Sequence, residues 1–473
     1  VCGICGILGK PDEETVEKML GAMIHRGPDG KWLYNDIDIS LGVCRLGIVG
    51  TENGNQPIFN ETHTACILFN GEIYNYLDIK ERLARKGHRF STETDTEVVL
   101  HLFEEYGERC VNLLKGMFAF AIWDGRKLFL ARDKMGIKPL FYTLLPSENL
   151  FIFGSEIKAI FQHESVPRVI DEQALCEQSV FGFILSPHLT LFEGIMQLPP
   201  GNLMFARKNS ISRKIKCKIS SYFDINELID KGKLLRNESY IALLRSKLEE
   251  ACRRVMLQDS LPKGIFLSGG LDSSLLAIIC SKYSEKPLYT FTITDSYENP
   301  DLESARKIAD YIGSEHHEII ISFDEYLKEL PKIIYSLEGF IIDDVFSRAG
   351  EGAFYFLSKY ASKYLRVTIC GEGADECFSG YWMHKYPIKY YNHLVTRLRT
   401  LNSSYSSKIN EKLYNSFIND GGPFISTYKL LLGNGLPNYH LWGCDRASMS
   451  HSLEVRYPYL YDDIVNIGFL SIG

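Results

Sequence analysis

Ser268-Gly269-Gly270-Leu271-Asp272-Ser273-Ser274 is the stretch on which the reading of this chain turns. It follows a short apolar run, Gly264 to Leu267, and leads into an apolar-periodic segment, Ser274 to Tyr283, so a strand, a tight turn and a helix are expected in that order. Glycines let backbone amides face a ligand, the hydroxyls add donors, and a helix N-terminus offers partial positive charge to an anion. The stretch therefore reads as a phosphate-binding turn. It is not a Walker loop, which requires G-x-x-x-x-G-K-[ST], and without the Lys that architecture for terminal phosphoryl transfer is disfavoured. A lone Ser-Gly-Gly would be an ordinary helix cap. The seven residues together are more specific.

Around this turn, from Glu238 onward, helical patterns alternate with short apolar runs at Gly264 to Leu267, Leu288 to Ile293, His317 to Ile320 and Leu365 to Cys370. That alternation predicts an α/β domain with a doubly wound parallel sheet. Ligands in such sheets sit beyond the carboxyl ends of the strands, which directs attention to the loops after Leu267, Ile293 and Cys370. The last of these is Gly371-Glu372-Gly373-Ala374-Asp375-Glu376, rich in carboxylates. Alone it would be a solvated acidic loop. Opposite a phosphate turn it is where Mg2+ is needed, held by few carboxylates and by phosphate oxygens, with Asp272 and Asp375 as candidate ligands.

The N-terminal half has a different texture. Ile37, Ile39, Leu41 and Val43 alternate with polar or small residues, and Met117 to Trp123, Leu128 to Ala131 and Leu150 to Phe153 are apolar runs bounded by turns. Helical patterns cover Glu14 to Ile24, Leu77 to Lys86 and Thr96 to Tyr106, so stacked sheets flanked by helices, an α+β sandwich, are expected. Periodicity weakens around Leu198-Pro199-Pro200-Gly201 and from Arg207 to Lys218, as at a boundary. The expected division is 2–205, a connecting segment 206–237, and a second domain 238–473.

With 473 residues, 45% hydrophobic and 23% charged, the chain has the composition of an ordinary globular protein of two domains. Fifty-two basic against 59 acidic residues leave no basic face for nucleic acid, and no apolar run is long enough to cross a bilayer. The start reaches Lys10-Pro11-Asp12 without a signal-peptide core, so a cytoplasmic protein without disulfides is expected from its 12 scattered cysteines. Cys2-Gly3-Ile4-Cys5 matches C-x-x-C, half of a zinc site or a redox pair, but no second pair completes it.

Two sets of residues carry a resemblance. Ser268 to Ser274 are similar to the pyrophosphate loop of ATP pyrophosphatases, and Gly371 to Glu376, Gly380-Tyr381 and Ser450-His451-Ser452-Leu453-Glu454-Val455-Arg456 resemble the synthetase domain of asparagine synthetases. Cys2-Gly3-Ile4, His25 to Gly30, Arg45-Leu46, Gln56-Pro57, Asn70-Gly71-Glu72-Ile73-Tyr74-Asn75, Asp95-Thr96-Glu97, Ala131-Arg132-Asp133 and Gly136 to Leu140 resemble class II glutamine amidotransferases, which are amino-terminal-nucleophile hydrolases. That resemblance implies that Cys2, freed by removal of residue 1, acts as nucleophile with its own amine as base. It further implies an oxyanion hole from Asn70 and the Gly71 amide, glutamine held by Arg45, Asn70, Glu72 and Asp95, and glutamine hydrolysed to release ammonia.

In the second domain the resemblance implies that Leu267, Ser268, Gly269, Gly270, Asp272, Ser273, Ile293, Gly371 and Glu372 bind ATP. Leu267 and Ile293 would lie near adenine, and Glu372 would be the general base for ammonia attacking an acyl-adenylate. The substrates implied are glutamine, ATP and aspartate or another carboxylate, with Mg2+ as cofactor, a homodimer as the assembly, and an enclosed apolar passage for ammonia. Three departures shape the expectations. Residue 1 is Val where the family has Met; Asp343 to Gly352 replaces a Ser- and Pro-containing acceptor segment; and the synthetase domain is expected to be shortened, lacking a C-terminal lysine for which Lys385 is no positional substitute. A related amidotransferase with another acceptor and an impaired glutamine- and ATP-sensing protein are the alternatives.

Overall fold

The computed structural model describes residues 2–209, 212, 214–225, 238–339, 350–400, 405, 409, 415 and 422–470. Residue 1, residues 210, 211, 213 and 226–237 of the expected connecting segment and Asp343 to Ala349 of the acceptor segment lie outside the described residues. The chain divides into two units: Val1–Ile170 with Pro187–Asp224, and Asp171–Ser186 with Ile225–Gly473. No helix among the described residues is long and apolar enough to cross a membrane, and all 12 cysteines are free thiols.

The first unit contains β1 (Cys2–Leu8), β2 (Gly30–Asp36), β3 (Ile39–Arg45), β4 (Ile58–Phe59), β5 (Cys66–Ile73), β6 (Gly116–Trp123), β7 (Leu128–Arg132), β8 (Phe141–Leu145), β9 (Leu150–Gly154), β10 (Ile195–Gln197), β11 (Asn202–Lys208) and β12 (Ile215–Ser221). They form two six-stranded antiparallel sheets, ordered β10-β8-β9-β1-β3-β2 and β12-β11-β7-β6-β5-β4. Ile4, Leu8, Ile39, Leu41 and Val43 of one sheet pack against Leu68, Ala119, Ala121 and Leu130 of the other. The alternate positions face outward onto the helix Glu13–Ala22, where a side chain at Gly42 would meet Val16 and Leu20. The opposite face of the second sheet buries Phe69, Phe120 and Ile122 against Val98, Val99 and Leu102 of the helix Asp95–Tyr106. The result is four layers, helix, sheet, sheet, helix.

Two expectations change. Ile37 is 81% exposed, because the chain turns at Asp36, whose carboxylate accepts the Ile37 amide, and β3 begins only at Ile39. Arg207 to Lys218 is not a linker but a hairpin of β11 and β12. The periodicity is weak there because β12 is an edge strand with no residue fully buried.

The second unit carries a five-stranded parallel sheet of β13 (Lys263–Phe266), β14 (Tyr289–Thr294), β15 (Glu315–Ile320), β16 (Val367–Ile369) and β17 (Glu454–Arg456), in the order β15-β14-β13-β16-β17. Strand order reverses at β13, so the loops after β13 and β16 open side by side at a switch point. β17 was not expected from periodicity: three residues carry no usable pattern. It is locked by Arg456, fully buried, which donates to Glu454 at 2.6 Å and to the Val255 carbonyl at 2.8 Å, and pairs with Asp259 at 2.8 Å. The helix Glu172–Phe181 belongs to this unit, unlike the expected 2–205 division, because its Val180 and Phe181 share a core with Tyr390 and Leu394 of the helix Pro387–Thr400.

Candidate active sites

Cys2 opens β1 directly opposite Arg45, the last residue of β3, while Asn70, Gly71 and Glu72 lie near the end of β5, one strand in from the edge of the other sheet. The Cys2 backbone nitrogen donates to Asn70 Oδ1 at 3.1 Å, and Asn70 Nδ2, fully buried, has no hydrogen-bond partner among the described residues. Gln56 is fixed by a two-way contact with the Phe69 backbone, donating from Nε2 at 3.2 Å and accepting at Oε1 at 2.7 Å, and its Nε2 stands 3.7 Å from Cys2 Sγ. Arg26 donates to the Cys2 carbonyl at 3.3 Å and to Glu156 at 3.0 Å. Burial opposes the Glu156 charge, yet His25, Lys158 and Arg26 hold its carboxyl well below the usual range, so the strand carrying the thiol is anchored to a buried ionic cluster.

Gly71 admits no side chain: a Cβ there would lie 2.1 Å from the Met117 carbonyl oxygen. Asp95, at the start of its helix, accepts the Ile73 amide at 2.9 Å, which ties it to the same end of β5 as Glu72. Both acids are buried. Arg45 donates to the carbonyls of Val49, Gly50 and Thr51 at 3.2, 2.6 and 3.2 Å, neutral partners that leave its positive charge uncompensated. Cys44, next to it, is a different thiol: burial pushes it up to about 12, and Sγ donates to the Met23 carbonyl at 3.1 Å. Cys5 is likewise raised by burial. The C-x-x-C pair is thus two positions along one strand, with no metal geometry.

In the second unit the turn after β13 folds on itself. Ser273 Oγ lies 2.9 Å from Ser268 Oγ and accepts the Ser268 amide at 3.2 Å. Gly269 has φ of +78°, and a Cβ would lie 2.6 Å from the Asp301 carbonyl and 2.8 Å from the Ala305 nitrogen, so only glycine fits. The helix begins at Leu271, inside the motif rather than at Ser274, which turns its N-terminus onto the loop. Ser274 Oγ, from the last residue of the same stretch, is buried with no hydrogen-bond partner among the described residues. Leu267 and Ile293 lie at the adjoining ends of β13 and β14, where the Leu267 amide donates to the Phe291 carbonyl at 2.9 Å.

Gly371 packs beside this turn: a Cβ on it would lie 3.4 Å from the Ser273 nitrogen and 3.7 Å from Asp272. Burial and then the Glu376 charge raise Asp272; burial and then Asp272 and Glu376 raise Asp375. Glu372 is raised by burial, with His440 acting against the shift and Glu376 and Asp375 adding to it. His440 stands 3.5 Å from both Glu372 and Glu376, and Tyr381 donates to Glu376 at 2.9 Å. Nothing in the sequence marks His440, which arrives from the distant helical segment Leu431–His440. Lys385 is exposed, with its ammonium 5.5 Å from the Tyr386 ring centre. Arg456, from the segment carrying part of the resemblance, serves the core instead.

The family described as glutamine amidotransferase domain matches residues 1–218, and the family described as asparagine synthase matches residues 243–469. Asparagine synthetase [glutamine-hydrolyzing] 1 of Bacillus subtilis is 33% identical over 398 residues, covering 82% of this chain and 60% of its own. Asparagine synthetase [glutamine-hydrolyzing] 3 of the same organism is 31% identical over 508 residues, covering 96% of this chain and 79% of its own. A third relative, asparagine synthetase [glutamine-hydrolyzing] 2 of Oryza sativa, is 30% identical and covers 99% of this chain and 69% of its own. The chain thus spans between 60% and 79% of the length of these relatives. With both units matched along one chain, it belongs to the family of glutamine-hydrolysing asparagine synthetases.

Proposed function

We propose that this chain forms asparagine from aspartate, ATP and glutamine, with ammonia made at Cys2 and consumed beside Glu372. The observation that carries the reading is the Cys2–Asn70 contact, in which one amide side chain holds the nucleophile's nitrogen and keeps its own NH2 unspent. Once residue 1 is removed, the Cys2 amine takes the thiol proton and Sγ attacks the glutamine side-chain carbonyl. Asn70 Nδ2 and the Gly71 amide stabilise the oxyanion, ammonia leaves with the proton returned by the amine, and water then hydrolyses the thioester to glutamate. Arg45 pairs with the glutamine α-carboxylate, and Glu72 with Asp95 pairs with its α-amine.

At the second site ATP lies with adenine toward Leu267 and Ile293 and its phosphates on Ser268, Gly269, Gly270, Ser273 and the Gly371 backbone. The acceptor carboxylate displaces pyrophosphate from the α-phosphate, and Glu372, its raised carboxyl suited to proton transfer, takes a proton as ammonia displaces AMP. The donor set fits Mg2+: Asp272 and Asp375 are raised in part by neighbouring negative charge, and Mg2+ is commonly held by few carboxylates with substrate phosphates. Bound there, it would neutralise charge on the pyrophosphate leaving group. The cytoplasm, where ATP and both amino acids occur, is the proposed location.

Pyrophosphate release from ATP, measured over a panel of carboxylates with glutamine or ammonium, tests the reading. Aspartate is expected to be the preferred acceptor, and Cys2→Ala is expected to abolish synthesis from glutamine while sparing synthesis from ammonium. Release with another carboxylate but not aspartate would overturn the acceptor; no release with any would favour a sensor.

A further inference from the structure

Away from the thiol, three stretches of the first unit converge on one point. Glu61 lies in the turn between β4 and β5, His88 in the loop after the helix Tyr76–Arg85, and His101 and Glu104 one turn apart on the helix Asp95–Tyr106. We propose that these four residues form a structural site for a divalent transition-metal ion of the zinc class, bound through Glu61 Oε2, His88 Nδ1, His101 Nδ1 and Glu104 Oε2.

The donor spacing is that of a coordination shell. His101 Nδ1 lies 3.2 Å from His88 Nδ1, 2.8 Å from Glu104 Oε2 and 3.5 Å from Glu61 Oε2, and His88 Nδ1 lies 3.9 Å from Glu104 Oε2. Ligands about 2.0–2.1 Å from a tetrahedral zinc ion stand about 3.3 Å from one another. One donor atom from each of the four residues fits within a mutual distance of 4.8 Å.

The outer contacts point the same way, and they are independent of that spacing. His88 Nε2 lies 3.1 Å from Glu105 Oε1, and His101 Nε2 faces Glu97 Oε1 at 3.7 Å. Glu61 Oε1 accepts the Arg89 amide at 3.0 Å, and Glu104 Oε1 accepts from Asn60 Nδ2 at 2.7 Å. His88, Glu61 and Glu104 are therefore each oriented by a hydrogen bond at the far atom, the arrangement that fixes tautomer and carboxylate direction around bound metals, while His101 Nε2 faces its carboxylate beyond hydrogen-bond reach. With both Nε2 atoms directed at carboxylates, the two Nδ1 atoms face each other 3.2 Å apart; either one of them holds a proton, as His101 Nδ1 does when it donates to Glu104 Oε2 at 2.8 Å, or both give their lone pairs to a cation. Two imidazoles with two carboxylates select zinc-class ions over Mg2+ and Ca2+, which prefer all-oxygen shells. The ion ties the β4–β5 turn and the His88 loop to the helix that begins at Asp95.

Co2+ titrated into the full chain tests the site. One equivalent is expected to bind with the intense visible absorption of four-coordinate cobalt, Zn2+ is expected to displace it and raise the melting temperature, and both responses should vanish in His88→Gln and in Glu61→Gln. Glu105→Gln reaches the site only through the far nitrogen of His88, its other contact being an exposed ion pair with Lys86, so it keeps the test readable if ligand variants fail to fold; it should weaken binding about 10- to 100-fold. Absence of a four-coordinate spectrum, its persistence in both ligand variants, or an unchanged affinity in Glu105→Gln would overturn the proposal and leave a shared proton as the occupant.

Discussion

Asn70 Oδ1 accepts a hydrogen bond from the Cys2 nitrogen at 3.1 Å while Asn70 Nδ2, on the same buried amide, has no partner among the described residues. Asn70→Asp keeps the acceptor and removes the donor, whereas Asn70→Ala removes both. Glutaminase kcat, read as glutamate release, is expected to fall about 100- to 1000-fold in each, the loss typical of one oxyanion donor. A smaller change in KM and unchanged synthesis from ammonium would separate this from misfolding.

Asp272 and Asp375 set a pH dependence. Both carboxyls are raised, first by burial and then by neighbouring carboxylates, so the folded unit holds these protons more tightly than the unfolded chain. The stability these two groups contribute to the unbound unit is accordingly complete below the ordinary carboxylate range and is lost as pH rises through the raised values. Under the proposed function, Mg2+ and nucleotide bound there would relieve that penalty at neutral pH. Asp272→Asn is expected to raise the melting temperature of the unliganded protein and to slow pyrophosphate release at least about 100-fold, several kcal/mol of lost charge stabilisation. In the unsubstituted protein the Mg2+ concentration for half-maximal release should climb as pH is lowered.

Arg456 supports β17 rather than chemistry. Its contacts with Glu454, Asp259 and the Val255 carbonyl are all buried, and Arg456→Met strands two carboxylates beside Lys263 alone. A loss of about 3–5 kcal/mol is expected from removing one partner of a buried ionic group. Urea unfolding measures it, and the fraction that remains folded should keep its kcat with ammonium.

His384 reports acid sensitivity. Neither ring nitrogen has a hydrogen-bond partner among the described residues, the ring lies beside Tyr381, Phe424 and Tyr428, and burial lowers its pKa from 6.5 to about 4. The unfolded chain binds the proton first, so the stabilising effect of the neutral ring is complete above about 6.5 and is lost as pH falls toward 4. At about 1.4 kcal/mol per unit, the loss is about 3 kcal/mol at most. His384→Phe should flatten stability against pH over that window, as followed by thermal melts at several pH values.

Motifs that are contiguous could be read directly. Ser268 to Ser274 signals a turn between strand and helix because the glycine, hydroxyl and cap requirements fall within seven adjacent residues, and Asn70-Gly71-Glu72 is likewise a local run. For residues that act through long-range contact, the string marked a motif but not the partner. Gln56 meets Cys2 across 54 positions and Arg26 meets Glu156 across 130, and in each case the side chain alone could equally belong to a surface loop. Edge and very short strands were hidden too: β12 is half exposed, and β17 depends on a buried ion network instead of an apolar pattern.

By itself the sequence determined the two fold classes and the motifs on which the proposed chemistry rests, since turn composition and hydrophobic period are local properties that survive in a one-dimensional string. Cys2 was legible as the candidate nucleophile through the motifs that accompany it. Tertiary structure decided what surrounds it. The Asn70 amide that holds its nitrogen, the Gln56 contact to its sulfur, and the Glu156 cluster behind its strand are brought together only when β1 takes its place between β3 and β9. The same holds for His440 over the acidic loop and for the His88–His101 pair, because proximity between distant segments is set by packing, not by spacing along the chain.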